Sequence, residues 1–114
     1  MFIKFKLNKP YKHIIRGEKI MIKHIVIWKF KKNEGENIKK FLEGLNSLKN
    51  IIPEIKAMET GINVNPKNEY DAILISEFEN FEDLEKYKNH PEHIKVSNLC
   101  KSIRIDRQAI DYEF

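Results

Sequence analysis

A chain with one cysteine, Cys100, has no internal disulfide to make, so its 114 residues must hold together by packing alone. That points to a reducing compartment, the cytoplasm, and within SNLCKSI the thiol reads as a small buried apolar group rather than a nucleophile. Glycine is equally scarce. Gly17, Gly35, Gly44 and Gly61 are scattered too widely to form a phosphate-cradling loop, so no nucleotide or flavin cofactor is expected. No apolar run reaches the length of a bilayer crossing. The leader MFIKFKLNKPYKHIIRGEK alternates apolar and polar residues and lacks the continuous apolar stretch of a secretory signal, so neither membrane insertion nor export is expected. A Ser/His/Asp hydrolase pattern is also missing. The acidic run Glu77, Glu79, Glu82, Asp83 and Glu85 has no interior glycine and reads as a solvated face, not a calcium loop. His90 and His93 stand three apart, but Pro91 breaks their register and neither a Cys pair nor a third ligand lies near, so no metal is expected.

What is present is 41% hydrophobic and 33% charged, the balance of one globular domain rather than a disordered or membrane-embedded chain. The net charge of +4 is unevenly spread: residues 1–20 carry six cations against Glu18, which leaves the rest at −1. A near-neutral body behind a basic extension lacks the concentrated cationic face and stacking aromatics of a nucleic-acid reader, so that partner is excluded. Two segments are proposed accordingly, a basic extension over 1–20 and a folded domain over 21–114. Within the extension, MFIKFKL alternates like an edge strand and PYKHIIRGEK suits a short helix or loop; a flexible basic arm is the alternative.

The folded domain opens on MIKHIVIWKFKK, apolar on both faces of a β period, with Ile22, Val26, Trp28 and Phe30 on one side and Ile25 and Ile27 on the other. From about 33 to 52, Ile38, Phe41, Leu42, Leu45 and Leu48 recur at helical spacing, and Gly44 interrupts at a cost of up to about 1 kcal/mol relative to Ala. A weaker strand runs from Ile55 to Val64, with Met58, Thr60, Ile62 and Val64 on one face, and ends in the turn-rich NPKNE. YDAILISEF repeats the two-sided pattern: Tyr70, Ala72, Leu74 and Phe78 face one way, Ile73 and Ile75 the other. Asn80, three before Asp83, marks an N-cap ahead of a short helix carrying Leu84 and Tyr87. His90-Pro91 interrupts that helix and starts another turn with Ile94 and Leu99, and a last strand spans about 103 to 112.

The order βαββαβ predicts an α+β fold, a ferredoxin-like four-stranded antiparallel sheet with its helices on one face. Its other face is apolar at the strand centres and needs a cover the chain does not contain. A second copy of the same sheet is the simplest one, which predicts a homodimer.

The blocks MIKHIVIWKFK, IIPEIKAMETGIN, YDAILISEFENFEDLEKYKNHPEHIKV and RQAIDYEF, with the HPxH element His90-Pro91-Glu92-His93 and the closing Asp-Tyr, resemble the stress-response A/B barrel family over 21–114. The resemblance implies two sheets packed face to face as a dimeric α+β barrel. It implies less about activity, because the family holds stress-associated proteins without established chemistry, uncharacterised bacterial proteins and a plant polyketide cyclase.

In that cyclase a histidine of the HPxH element works with a tyrosine just before it, which implies His93 and Tyr87 here, joined by His24 of the first strand. A neutral imidazole can take a proton alpha to a carbonyl, and a phenol can polarise the oxygen. The cyclase's second pocket tyrosine falls at about Leu45, which leaves a more apolar pocket. Trp28, Leu45 and His90 are expected on the pocket wall. Structural roles compete: His90 can cap a helix end, His93 can bond a carbonyl in the sheet, and His24 and Tyr87 can be satisfied core residues. Three functions therefore stand: a dimeric binder of a small apolar or aromatic molecule, a cofactor-independent cyclase-like lyase or isomerase, or a stress-associated oligomer without ligand.

Overall fold

The computed structural model describes residues 19–114, so the readings made for MFIKFKL and PYKHIIRGEK lie outside the described residues. Strand β1 (Ile22–Phe30) is rich in β-branched residues and alternates without a break, with Ile22, His24, Val26, Trp28 and Phe30 buried and the residues between them half-buried. The chain turns through Asn33 at a φ of 64°, a left-handed position that Asn tolerates, into helix α1 (Gly35–Leu48). Strands β2 (Ala57–Ile62) and β3 (Ala72–Phe78) follow. Helices α2 (Phe81–Asn89) and α3 (Pro91–Ile103) come next, then strand β4 (Arg104–Glu113).

The four strands form one antiparallel sheet in the order β2-β3-β1-β4. The fold is the expected ferredoxin-like α+β arrangement, with one elaboration. The turn expected after Pro91 is a thirteen-residue helix, because Pro at its first position lacks only an N–H that would have had no partner. The chain therefore runs βαββααβ.

Phe41, Leu45 and Leu48 of α1, Leu84 and Tyr87 of α2 and Cys100 and Ile103 of α3 close over Val26, Leu74 and Phe78 of the sheet. Ile94, which the turn after Pro91 carries, is 44% exposed. Similarly, β2 ends at Ile62, and Val64 beyond it stands in solvent. At the edge of the described sheet, β2 has a neighbour among the described residues on one side only, so alternation there does not guarantee burial. Gly44 has a reason to be glycine: a Cβ at that position would stand 3.1 Å from Cγ2 of Val96, where α1 crosses α3.

Among the described residues no helix covers the opposite face of the sheet. Ile25 lies between Ile75 and Ile110 in register and Ile27 beside Ile73. The four isoleucines of β1 and β3 are half-exposed and Ile110 is 61% exposed, forming a contiguous apolar face.

Candidate functional site

Strand parity decides what His24 can touch. His24 falls on the helix-covered face of β1, and Asp111 pairs with it directly across the β1–β4 ladder, so both side chains rise on the same side. His24 Nδ1 lies 2.5 Å from Asp111 Oδ1. A carboxylate accepts, so Nδ1 carries the hydrogen and Nε2 keeps its lone pair.

The second half of the site is built at an elbow. His90 ends α2, where its N–H donates to the Tyr87 carbonyl, and begins α3, where its Nδ1 accepts the Glu92 N–H at 3.1 Å. One residue thus caps two helices, with Tyr87 three positions before it and His93 three after. The rings of Tyr87 and His93 meet with centroids 4.4 Å apart. His93 Nδ1 donates to the Lys88 carbonyl at 3.0 Å, a partner in α2 rather than in the sheet. His93 is therefore held in the same tautomer as His24, with Nε2 unprotonated. Phe78, 5.1 Å from Tyr87 between centroids, backs the row, and the rings of His24 and Tyr87 stand 6.3 Å apart.

These groups border a cavity of about 320 Å³, at the small end of the range of ligand pockets, about 300–1,000 Å³. Val26, Trp28 and Leu74 of the sheet and Phe41 and Leu45 of α1 supply its apolar wall. His24, Tyr87 and His93 supply its polar one, and Cys100 adds a thiol. His90, expected on the wall, is not there; its ring is occupied in capping α3.

Among the described residues, neither imidazole Nε2 nor the Tyr87 hydroxyl has a protein hydrogen-bond partner. No buried side-chain nitrogen or oxygen of the described residues is orphaned either, so these three atoms reach the open space of the cavity.

Burial lowers the His24 pKa below its ordinary 6.5, and the bond to Asp111 offsets this only in part. Burial likewise lowers that of His93, partly opposed by the Lys88 carbonyl. Burial raises the Tyr87 phenol well above its usual 10. At neutral pH the site therefore holds two uncharged imidazoles and one protonated phenol, two acceptors and a donor facing one space. Among the described residues no three His, Cys, Asp or Glu side chains converge as a metal set, and no helix is long and apolar enough to cross a membrane.

Sequence reasoning missed Asp111 and the basic residues Lys88, Lys101, Arg104 and Arg107, all four of which border the cavity. Asp111 could have been found by counting alternate positions along β4 once its register with β1 was known.

Residues 22–114 match the Stress responsive A/B Barrel Domain family. Olivetolic acid cyclase of Cannabis sativa is 32% identical over 95 residues, covering 80% of this chain and 94% of the cyclase. The stress-response A/B barrel domain-containing protein DABB1 of Arabidopsis thaliana is 26% identical over 81% of this chain, which spans only 46% of DABB1. Among solved structures, a dimeric protein of unknown function and ferredoxin-like fold from Bacteroides fragilis superposes with a TM-score of 0.78 at 32% identity, covering 82% of this chain and 96% of that one.

Proposed function

The chain belongs to the stress-responsive A/B barrel domain family, and on that footing we propose that it is a homodimer that takes a small apolar or aromatic molecule into its cavity and moves a proton on it without a cofactor. One observation carries the reading: two imidazoles fixed as Nδ1–H tautomers turn Nε2, together with a protonated phenol, into a single cavity. His93 Nε2 takes a proton alpha to a carbonyl. The C–H electron pair moves onto the carbonyl oxygen as an enolate, stabilised by the Tyr87 hydroxyl, and the resulting imidazolium returns its proton to carbon or to a leaving group. His24, anchored by Asp111, orients the same substrate. A relative named as a cyclase, at 32% identity, supports this class of chemistry.

The dimer is supported by the bare isoleucine face and by the dimeric neighbour from Bacteroides fragilis. A cytoplasmic setting is supported by a lone thiol buried without a partner cysteine, and a role in stress response by the family.

A second reading, carriage of the molecule without turnover, is favoured by the depth of His24 and Tyr87, which are 2% and 1% exposed. Deuterium uptake into 4-phenylbutan-2-one in D₂O separates the two. Proton transfer predicts uptake above the buffer rate that His93→Ala abolishes while leaving affinity measurable. Uptake equal to buffer, or unchanged in the variant, removes the catalytic reading.

A further inference from the structure

Lys101 in the last turn of α3, Arg104 at the helix-to-strand changeover and Arg107 on β4 recur at intervals of three and converge on one rim of the cavity. Helical spacing ends where strand spacing begins, and the changeover swings all three to the same opening. Among the described residues no Asp or Glu lines the cavity. Nearby carboxylates are already engaged: Asp111 with His24, Asp106 with the Tyr70 hydroxyl and the Arg107 N–H, Glu92 with Lys95. The fourth cation, Lys88, has Glu85 at 3.5 Å. Among the described residues, Lys101, Arg104 and Arg107 have no carboxylate at ion-pair distance. Arg107 also lies close enough to bear on the ionisation of His24, Tyr87, His93 and Cys100, which places its charge at the chemical end of the cavity.

Three cations with no carboxylate partner among the described residues, around an opening whose interior groups are uncharged, repel one another and favour a counter-charge arriving from outside. We propose that the cavity's ligand is an amphipathic organic anion, its apolar or aromatic body seated against Trp28, Phe41 and Leu45 and its oxyanion, a carboxylate or a phosphate, held at the rim by Lys101, Arg104 and Arg107. This rests on the proposed binding function and specifies its substrate class.

Trp28 is the sole tryptophan of the sequence and stands in the cavity wall, so its emission reports occupancy directly. The full chain is titrated with 4-phenylbutanoate, 4-phenylbutyl phosphate and the uncharged 4-phenylbutanamide. At least one anion is expected to bind about ten- to a hundredfold more tightly than the amide, the gain of a charge-assisted hydrogen bond. The tighter of the two anions identifies the oxyanion. Arg107→Gln combined with Lys101→Gln is expected to erase the preference while leaving amide affinity intact, which also shows that the variant is folded. Equal affinity for anions and amide, or a preference that persists in the double variant, overturns the anion assignment alone. Absence of saturable binding by all three compounds overturns both the assignment and the binding function on which it rests.

Discussion

Asp111 reaches His24 across 87 residues of sequence and stands 2.5 Å from its ring, the contact that sets which imidazole nitrogen faces the cavity. Because His24 is 2% exposed while the Asp111 side chain remains 27% exposed, the pair joins a dry ring to a partly wetted anchor. Asp111→Asn keeps an acceptor for Nδ1–H but removes the negative charge that opposes the effect of burial. The His24 pKa is therefore expected to fall further below 6.5, while that of His93, set first by burial and by its bond to the Lys88 carbonyl, moves less. NMR titration of the two ring protons checks this. An unchanged or raised His24 pKa would show that the carboxylate does not set its charge.

Both histidines make the fold acid-sensitive above the range where carboxylates titrate. Unfolded, each protonates near 6.5; folded, each does so lower, so on acidification the unfolded state gains protons first. Stability from keeping the rings neutral is complete above pH 6.5 and is lost as pH falls through the folded values. Each histidine adds at most about 1.4 kcal/mol per pH unit. Urea midpoints are expected to decline from pH 7 to pH 5, and less steeply in His93→Gln. A flat midpoint across that interval contradicts the neutral-ring assignment.

Charge placed on the bare sheet face should separate the dimer without unfolding the protomer. Ile25 lies between Ile75 and Ile110, and in a two-fold interface each substitution counts twice. Ile25→Glu, forfeiting about 1.5–3 kcal/mol of burial per copy, is expected to raise the dimer dissociation constant by at least about a hundredfold. Light scattering at micromolar concentration should show a dimer for the wild type and a monomer of unchanged circular dichroism for the variant. A wild-type monomer would remove the dimer proposal.

The α1–α3 crossing is set by a missing methyl group. Gly44→Ala gains about 1 kcal/mol of helix propensity but drives a Cβ to 3.1 Å from Val96. Overpacking of about 1–3 kcal/mol outweighs the gain, so a net loss of about 1 kcal/mol is expected. In a Val96→Ala background the same change should stabilise. Denaturant midpoints across this double-mutant cycle measure the coupling, and stabilisation by Gly44→Ala alone would mean that α3 yields freely.

Those parts of the fold that obey a local period could be read before any coordinates. The two-sided pattern of Ile25, Ile27, Ile73 and Ile75 announced strands with both faces needing cover, and the structure puts those two strands at the centre of the sheet. Asn80 before Asp83 announced a cap, and the Asn80 side chain does accept the Asp83 N–H at 2.8 Å. Val64 misled because alternation records what could be buried, not whether a neighbour arrives to bury it. Asp111 was invisible for a different reason. Its role depends on a register with β1, and a one-residue slip would place it on the opposite face. Lys101, Arg104 and Arg107 meet only because a helix changes into a strand between them, which no single period describes. The family resemblance pointed to His93 as an acid/base group, but nothing in the spacing chose the Lys88 carbonyl over one in the sheet.

The elbow at His90 has a consequence for the order in which the site comes into being. Tyr87, the Lys88 carbonyl and His93 belong to one short stretch, closed by a contact only five residues apart, whereas His24 waits for a partner 87 residues further along the chain to find its register. Short closures form in well under a microsecond and long strand pairings far more slowly, so half of the polar wall is expected to be local and early, and the other half topological and late. Pro91→Ala, at the elbow, should therefore slow folding, while Asp111→Asn should mainly hasten unfolding. The reverse partition of rates would mean that the sheet organises the elbow.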